Sequence, residues 1–379
     1  MATALINPKM LSWAIHRSGI SVPELACKLN VREDKVSQWE SGEKLPTFKQ
    51  AQNFAHKTHV PFGYLFMPTP PKDDLPLPDL RTVGGAYPNE PSAELLDIVK
   101  IVLQRQEWYR EYLLDNFVEE NPVVARFSVQ SKVNDIVQDI RQALGVGAHP
   151  TRGKWDEYYR DLTNRIESNG ILVMRESNLG HWTRPLNVDE FRGFAIADKL
   201  APVIFVNHAD APGPRLFTLL HELTHIWLGK SGISDNDPGN SRTEEVLCNA
   251  VAAEFLVPED EFMDLWDDDT EDWRDNLPLL EKHFHVSTWV IARRALTLGK
   301  INIQEYRRYI AAQRAAYQAR EKSDTGPDYY KTKHAQHSTN FSKAVVREAL
   351  AGKLLLRDAG NLLGIKPNKI TQFAKELGV

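Results

Sequence analysis

The apolar positions of the chain change rhythm along its length. From residue 8 to 66 they recur at helical spacing, in Met10-Leu11-Trp13-Ala14-Ile15, Leu25-Ala26-Leu29 and Val36-Trp39. Ser21-Val22-Pro23-Glu24 has capping-box spacing with a proline in the first turn, so a helix begins there, and Gly19 and Gly42 interrupt the pattern. The helical rhythm returns over 92–145, through Leu95-Leu96-Ile98-Val99 and Val133-Ile136-Val137-Ile140-Leu144, and again over 155–168. Then it shortens. The runs from Gly170 to Met174, Gly193 to Ala197 and Val203 to Asn207 are β-rich and parted by turn residues, which predicts the strands of one small sheet. A helix follows from about Pro214 to Gly229, then a Gly/Asn/Asp/Ser loop to Asn240 and a helix over about 242–256. Beyond Pro258 the pattern is helical around 276–298, 302–321, 340–352 and 357–377.

Punctuation divides these elements. Pro68, Pro70, Pro71, Pro76 and Pro78, with Gly84-Gly85 and Pro88 after them, form a stiff, extended linker. The predicted class is α+β and mostly helical. Its parts are a helical domain (1–67), the linker (68–91), a helical scaffold (92–165), a sheet-and-helix core (166–275), a helical extension (276–322) and a C-terminal helical region (338–379).

Composition narrows the class. The chain has 379 residues, 42% hydrophobic and 26% charged, enough to bury a sizeable core. No apolar run approaches the roughly 18 to 20 residues of a membrane-spanning helix, and the first residues lack a basic and apolar leader pattern, so no membrane partner and a cytoplasmic location are expected. Two cysteines, Cys27 and Cys248, exclude a disulfide framework and a Cys-rich zinc module. The net charge of −5 excludes a polycation built to coat nucleic acid. That charge is uneven, however. Residues 1–70 hold eight Lys/Arg against five Asp/Glu, while 235–275 hold fifteen Asp/Glu against two Arg, an acidic run that reads as a solvated face.

The sharpest chemical signal is His221-Glu222-Leu223-Thr224-His225. On a helix, residues four apart share a face, so both imidazoles can address one ion with Glu222 beside them. Leu216, Phe217, Leu219, Leu220, Leu223, Ile226 and Trp227 give this helix an apolar body, so it is buried, and buried polar groups need partners. A hydrolytic zinc site takes three protein ligands and leaves a position for water. Ser241-Arg242-Thr243-Glu244-Glu245-Val246-Leu247-Cys248 offers Glu245, Glu244 and Cys248 as the third. Ser241 and Glu244 stand at capping-box spacing, which occupies Glu244 at the helix start and favours Glu245. A His/His/Glu set suits zinc and also admits manganese. Glu222 is then the general base. The strand Arg192–Ala197 can hold an extended peptide if it stands at a sheet edge, and is an ordinary core strand otherwise.

Near the N-terminus, Val22–Asn30 followed by Arg32–Ser41 has the size of a helix-turn-helix, whose second helix reads a groove. Arg32, Lys35, Ser37 and Gln38 are the candidate DNA contacts there. Glu33 and Asp34 at the same helix start are poorly suited to a phosphate-lined groove. Two further stretches, Phe284–Trp289 with Ala292-Arg293-Arg294, and Leu356–Ile365, have similar spacing but read as parts of plain helical bundles.

Ser37-Gln38-Trp39-Glu40-Ser41-Gly42-Glu43-Lys44-Leu45-Pro46-Thr47 resembles the recognition-helix end and turn of the XRE phage-repressor family. This module, then Pro61–Phe66, then Leu75-Pro76-Leu77-Pro78-Asp79-Leu80-Arg81-Thr82, then the zinc motif, resembles the ImmA/IrrE metallopeptidases that carry an N-terminal helix-turn-helix. Arg215–His225 looks like that family's central helix and Glu245–Pro258 like its third-ligand helix, with Cys248 where the family usually has Ala. The resemblance implies a five-helix XRE-type domain, a gluzincin-like catalytic domain with a small sheet and an HExxH helix, and ligands His221, His225 and Glu245. It implies a cytoplasmic zinc endopeptidase that cleaves a repressor-type regulator. Operator DNA, bound through the N-terminal domain, and a toxin partner are the other expected partners. A DNA-binding regulator or antitoxin with a structural zinc site is the alternative.

Overall fold

Short polar caps start the first helices where the sequence places them. The computed structural model describes residues 3–72, 74–78, 91–180, 183–234, 242–319 and 336–379. Asn7 accepts a hydrogen bond from the Lys9 amide and opens α1 (Pro8–Ser18), which left-handed Gly19 ends. Ser21 accepts from the Glu24 amide and opens α2 (Val22–Leu29), which ends on Asn30 in the same left-handed conformation. α3 (Glu33–Glu40) follows, then α4 (Phe48–Lys57), opened by a reciprocal capping box between Thr47 and Gln50. The expected fifth helix is a five-residue 3-10 turn, Phe62–Phe66. It starts at Pro61 and stops short of Pro68, which leaves too few residues for an α-helix. Leu11, Leu25, Val36, Trp39, Phe54 and Leu65 make the core of this unit, which comprises residues 1–76 with 89–99.

Most of the remaining chain, 77–88 and 100–379, groups as a second unit. α5 (Ala93–Asp115) begins in the first grouping and continues in this one. The helical stretch expected over 92–145 is two helices, α5 and α6 (Val133–Leu144), because left-handed Phe117 and Ala125 and the proline at 122 break it. α7 (Trp155–Ser168) leads into a four-stranded sheet. β1 (Leu172–Glu176) pairs in parallel with β3 (Val203–Asn207), and β2 (Gly193–Ile196) lies antiparallel to β3 on one side and to β4 (Gly232–Ser234) on the other. The order β1-β3-β2-β4 puts β2 inside the sheet. The edge position considered for Arg192–Ala197 is therefore not found; both neighbouring positions are filled by strands, and its residues are buried on both faces. Phe194 and Phe205, cross-strand partners, stack at 4.7 Å and fix this register.

α8 (Pro212–Trp227) packs on β2 and β3, and α9 (Thr243–Leu256) packs on α8. α6 covers α9, and α12 (Thr288–Thr297) touches both α8 and α9. Between them run α10 (Glu259–Leu265) and α11 (Leu277–Phe284). Left-handed His285 separates α11 from α12, so the stretch 276–298 is two helices. α13 (Ile303–Gln318) and, after the undescribed 320–335, α14 (Thr339–Leu350), α15 (Leu356–Leu363) and α16 (Ile370–Leu377) complete the described elements. Buried Phe284, Val290 and Ile291 give the 284–294 stretch the bundle role expected of it. The buried pair Arg105–Glu176, at 2.8 Å, ties α5 to β1, and Arg105 Nε also donates to the Leu362 carbonyl of α15. Among the described residues no helix is long and apolar enough to cross a membrane.

One polar cluster makes this fold acid-sensitive. Just beyond β3, His208 Nε2 lies 3.0 Å from the Tyr159 hydroxyl, and Arg215 donates to the His208 carbonyl. Burial, then the charges of Arg215 and Arg175, push the His208 imidazole well below its ordinary range. The unfolded chain therefore binds a proton that the folded chain refuses. Stability from this site is held above the ordinary histidine pKa of about 6.5 and declines as pH falls below it. In urea titrations at pH 7 and pH 5, His208→Asn should lose less of its midpoint on acidification than the native chain.

Candidate metal centre

A helix that carries charge into the core needs apolar residues on every other face. Leu216, Leu219, Leu220, Leu223, Ile226 and Trp227 of α8 are all completely buried, and they take His221, Glu222 and His225 down with them. The helix is anchored at both ends. Arg215 donates to the Asp210 and His208 carbonyls at its start. At its finish the amides of Ala125 and Phe127 donate to the Ile226 and Trp227 carbonyls, and the Trp227 indole donates to Asp139 of α6 at 2.7 Å. The Ala125 and Phe127 amides satisfy carbonyls that the end of a helix leaves open.

α9 supplies the opposing carboxylate. Glu245 is fully buried, with Oε2 at 3.3 Å from His221 Nε2 and Oε1 at 3.0 Å from His225 Nε2, while the two Nε2 atoms stand 3.2 Å apart. Neither oxygen of Glu245 has a partner with hydrogen-bond geometry among the described residues. The Glu245 oxygens approach both imidazoles without being aligned for bonding to them, as groups do when they face a shared point. Ligands at 2.0–2.1 Å from a tetrahedral zinc are spaced by about 3.3 Å. The donor set and its spacing fit such an ion. Cys248 Sγ lies within 4.8 Å of a ring nitrogen of each histidine, and burial followed by the Glu245 and Glu222 carboxylates pushes its thiol up into the neutral form. Glu244 is half-buried and joins neither histidine in the described contacts. Its expected capping partner Ser241 lies outside the described residues, and the N-cap of α9 is Arg242, with no side-chain capping bond.

Residues 167–296 match the Peptidase_M78 family, the IrrE N-terminal-like domain. Residues 338–376 match a domain of unknown function, DUF8813, and no curated protein matches the chain. The IrrE-like segment runs from the end of α7 through β1–β4 to α12, so it contains all four site residues and points to a metallopeptidase of the IrrE/ImmA type.

Electrostatics in the IrrE-like segment separate the roles of its two glutamates. Burial and then the Glu245 charge raise the Glu222 carboxyl well above its usual range, with the Ser234 hydroxyl offsetting part of the rise. Burial also acts to raise Glu245, but the adjacent His221 and His225 imidazoles outweigh it and hold that carboxyl far down. Burial lowers the His221 imidazole and favours the neutral ring that can donate a lone pair.

Two more residues shape the site. Gly193 of β2 lies under Glu222, where a Cβ would stand 2.8 Å from Glu222 Oε1 and 2.8 Å from the Phe205 carbonyl oxygen. Ser234, fully buried at the end of β4, places its hydroxyl 3.4 Å from His225 Nε2. A glycine inside a strand signals close approach of another group, whereas nothing in the sequence singles out Ser234. On the outer side of β4, the Ile233 amide donates to the Pro78 carbonyl at 3.0 Å, so the chain's own proline-rich segment meets the edge strand.

The candidate DNA contacts fall on α3 and its N-cap. Arg32 is exposed but engages Asp34 through both Nε (3.1 Å) and a terminal nitrogen (2.7 Å). Lys35 Nζ lies 5.8 Å from the centre of the Trp39 ring, and the Ser37 hydroxyl donates to the Glu33 carbonyl. Arg32, Lys35 and Gln38 line one open groove with Lys44 and Gln50.

Replacing Gly193 by alanine should cost about 1–3 kcal/mol of stability through overpacking and displace the Glu222 carboxylate. Gly63→Ala, where a Cβ meets nothing within 4 Å, should melt like the native chain. Differential scanning calorimetry of both variants checks the pair.

Proposed function

We propose that the chain is a zinc-dependent endopeptidase that cleaves a transcription-regulator-type protein, guided or regulated by an N-terminal helix-turn-helix that binds operator DNA. The observation that carries the peptidase reading is the convergence of His221, His225 and Glu245 on one buried point, with the buried Glu222 carboxylate near enough to feel the Glu245 charge. In this reading those three are the metal ligands and Glu222 is the catalytic base. Bound there, zinc (or manganese) supplies Lewis acidity to a peptide carbonyl and to an attacking water. Glu222 takes the proton from that water and delivers it to the departing amine. Its burial suits the task, because a carboxyl raised toward neutrality can both accept and return a proton. Gly193 leaves the room Glu222 needs, and Ser234 stands beside His225.

A purely structural metal site has no use for a buried carboxylate that lacks a hydrogen-bond partner of good geometry beside the ligands. That favours the peptidase over a regulator with a structural zinc. The expected substrate follows from the helix-turn-helix, which would bring the site to proteins bound at the same DNA. The α2–α3 pair, joined by Asn30-Val31-Arg32, has the required size, and Lys35, Ser37 and Gln38 present polar groups on its second helix. The Arg32–Asp34 pair makes Arg32 the weakest of the proposed contacts, since an acid already occupies its guanidinium.

Elemental analysis should show that Glu245→Gln loses one zinc per chain relative to the native protein and that Glu222→Gln loses none. Both should lower cleavage of repressor-type regulators encoded beside its gene by more than about 1000-fold, read by mass spectrometry of the fragments. A zinc content in Glu245→Gln equal to that of the native protein would overturn the ligand set. Full cleavage by Glu222→Gln would overturn the mechanism. For the N-terminal unit, Lys35→Ala and Gln38→Ala should each weaken binding to operator-length DNA by about tenfold, with binding that falls as salt rises. Salt-independent binding, or none by the native chain, would remove DNA from the reading.

A further inference from the structure

A second group of metal-ligating side chains stands apart from the α8–α9 centre. His149 lies on the segment that follows α6, Glu261 on α10 and His283 in the last turn of α11. Glu261 Oε2 is 2.9 Å from His149 Nε2 and 3.0 Å from His283 Nε2, and the two rings are 4.9 Å apart between centres. One ligand atom from each residue falls within 4.8 Å of the other two. We propose that His149, Glu261 and His283 form a second divalent-metal site of zinc type, which staples the segment after α6 to α10 and α11.

The proton count carries the inference. His149 Nδ1 lies 3.0 Å from the Pro150 carbonyl oxygen. A carbonyl only accepts, so Nδ1 holds the hydrogen, and in a neutral ring Nε2 is left with a lone pair. That lone pair points at a carboxylate oxygen 2.9 Å away. Two acceptors at this distance repel unless a positive centre lies between them. His283 Nε2 faces the same oxygen. Satisfying both contacts with protons requires an imidazolium at His149 and an Nε2–H at His283, both aimed at one carboxylate oxygen. A single divalent cation satisfies all three atoms at once.

The surroundings suit a cation. Phe284, completely buried, sets its ring edgewise against both imidazoles, at 5.4 Å from His149 and 4.7 Å from His283, which limits how they turn. The Pro150 carbonyl on the far nitrogen of His149 is the outer hydrogen bond that metal-bound histidines commonly make. The three side chains keep 17–39% of their surface exposed, so an ion can enter and retain water in a fourth position. Imidazole with carboxylate selects zinc over calcium or magnesium. The site also bears on the first centre. α10 follows directly from α9, and Arg141 of α6 donates to the Phe255 carbonyl at the end of α9. A cation joining the segment after α6 to α10 therefore cross-links the two sides of the helix that carries Glu245.

The test is a zinc titration of the full chain against a chromophoric chelator. It compares the native protein with His149→Ala/His283→Ala, Glu261→Gln, Glu245→Gln and Glu245→Gln/Glu261→Gln, with circular dichroism confirming each fold. The native chain should bind about two zinc ions at micromolar concentration or below. The His149/His283 variant and Glu261→Gln should each lose one ion, with affinity at that site falling more than about 100-fold. The double glutamate variant should bind none. Uptake of as many ions by the His149/His283 variant as by the native chain would overturn the proposal, and so would a second ion bound only at millimolar zinc. The outcome is separable from the peptidase reading. If Glu245→Gln alone keeps its full zinc, that reading fails, while the second site stands on the His149/His283 result.

Discussion

Four ionisable side chains, His221, His225, Glu222 and Glu245, occupy a space with no exposed surface at any of them. Unpaired charges in such a place cost several kcal/mol each, so the architecture around them has one task, to make their burial tolerable. The apolar body of α8 insulates them laterally, and the aromatic stack of Phe194 on Phe205 holds the strands beneath. Gly193 gives up its side chain so that Glu222 can fit against the sheet. The Trp227–Asp139 bond, with Arg126 gripping both oxygens of the same Asp139, fixes the end of α8 that the chelating residues depend on. Pairing His221 and His225 with Glu245 removes part of the cost from three of the four groups. Glu222 alone is left against the gradient, and burial raises it accordingly. In the proposed reading, the burial that would be a liability in a structural helix tunes this carboxyl for proton transfer.

How much of this could be read from the sequence depends on how local each feature is. The His221–His225 pair was legible because its geometry is set by the pitch of one helix, whatever the rest of the fold does. Glu245 was legible only as one of three nearby candidates. Choosing it required either a capping argument through Ser241, which lies outside the described residues, or a family resemblance, and the distances of 3.0 and 3.3 Å now supply the reason independently. The interior position of β2 was not legible, because strand order comes from pairings between residues far apart in sequence. β4 escaped for a simpler reason: three residues, Gly232–Ser234, contain too little alternation to register as a strand, and they sit inside what reads as a polar loop. Ser234 was lost along with it.

Boundary errors have an equally physical origin. Helical periodicity continued across 92–145 and 276–298, yet each is broken by residues in left-handed conformation, Phe117 and Ala125 in the first and His285 in the second. None of these is a glycine, so apart from Pro122 the sequence marks no break at them. They persist because neighbours fix them: the amide of Ala125 caps α8, and the His285 ring bonds the Gly153 carbonyl. A tertiary contact can thus impose a backbone conformation that local sequence would not choose.

The sheet edge draws these observations together. Because β2 is interior, an extended chain can add to this side of the sheet only at β4, the strand whose Ser234 lies beside His225. Its outward Ile233 amide is already bonded to Pro78. Proline suits that place: it offers a carbonyl to the edge but no amide, so it caps the strand without extending the ladder. An incoming peptide that paired here would have to displace that bond, which ties access to the centre to the conformation of the proline-rich segment. One carbonyl of the proline-rich segment thus takes the amide that an added strand would need.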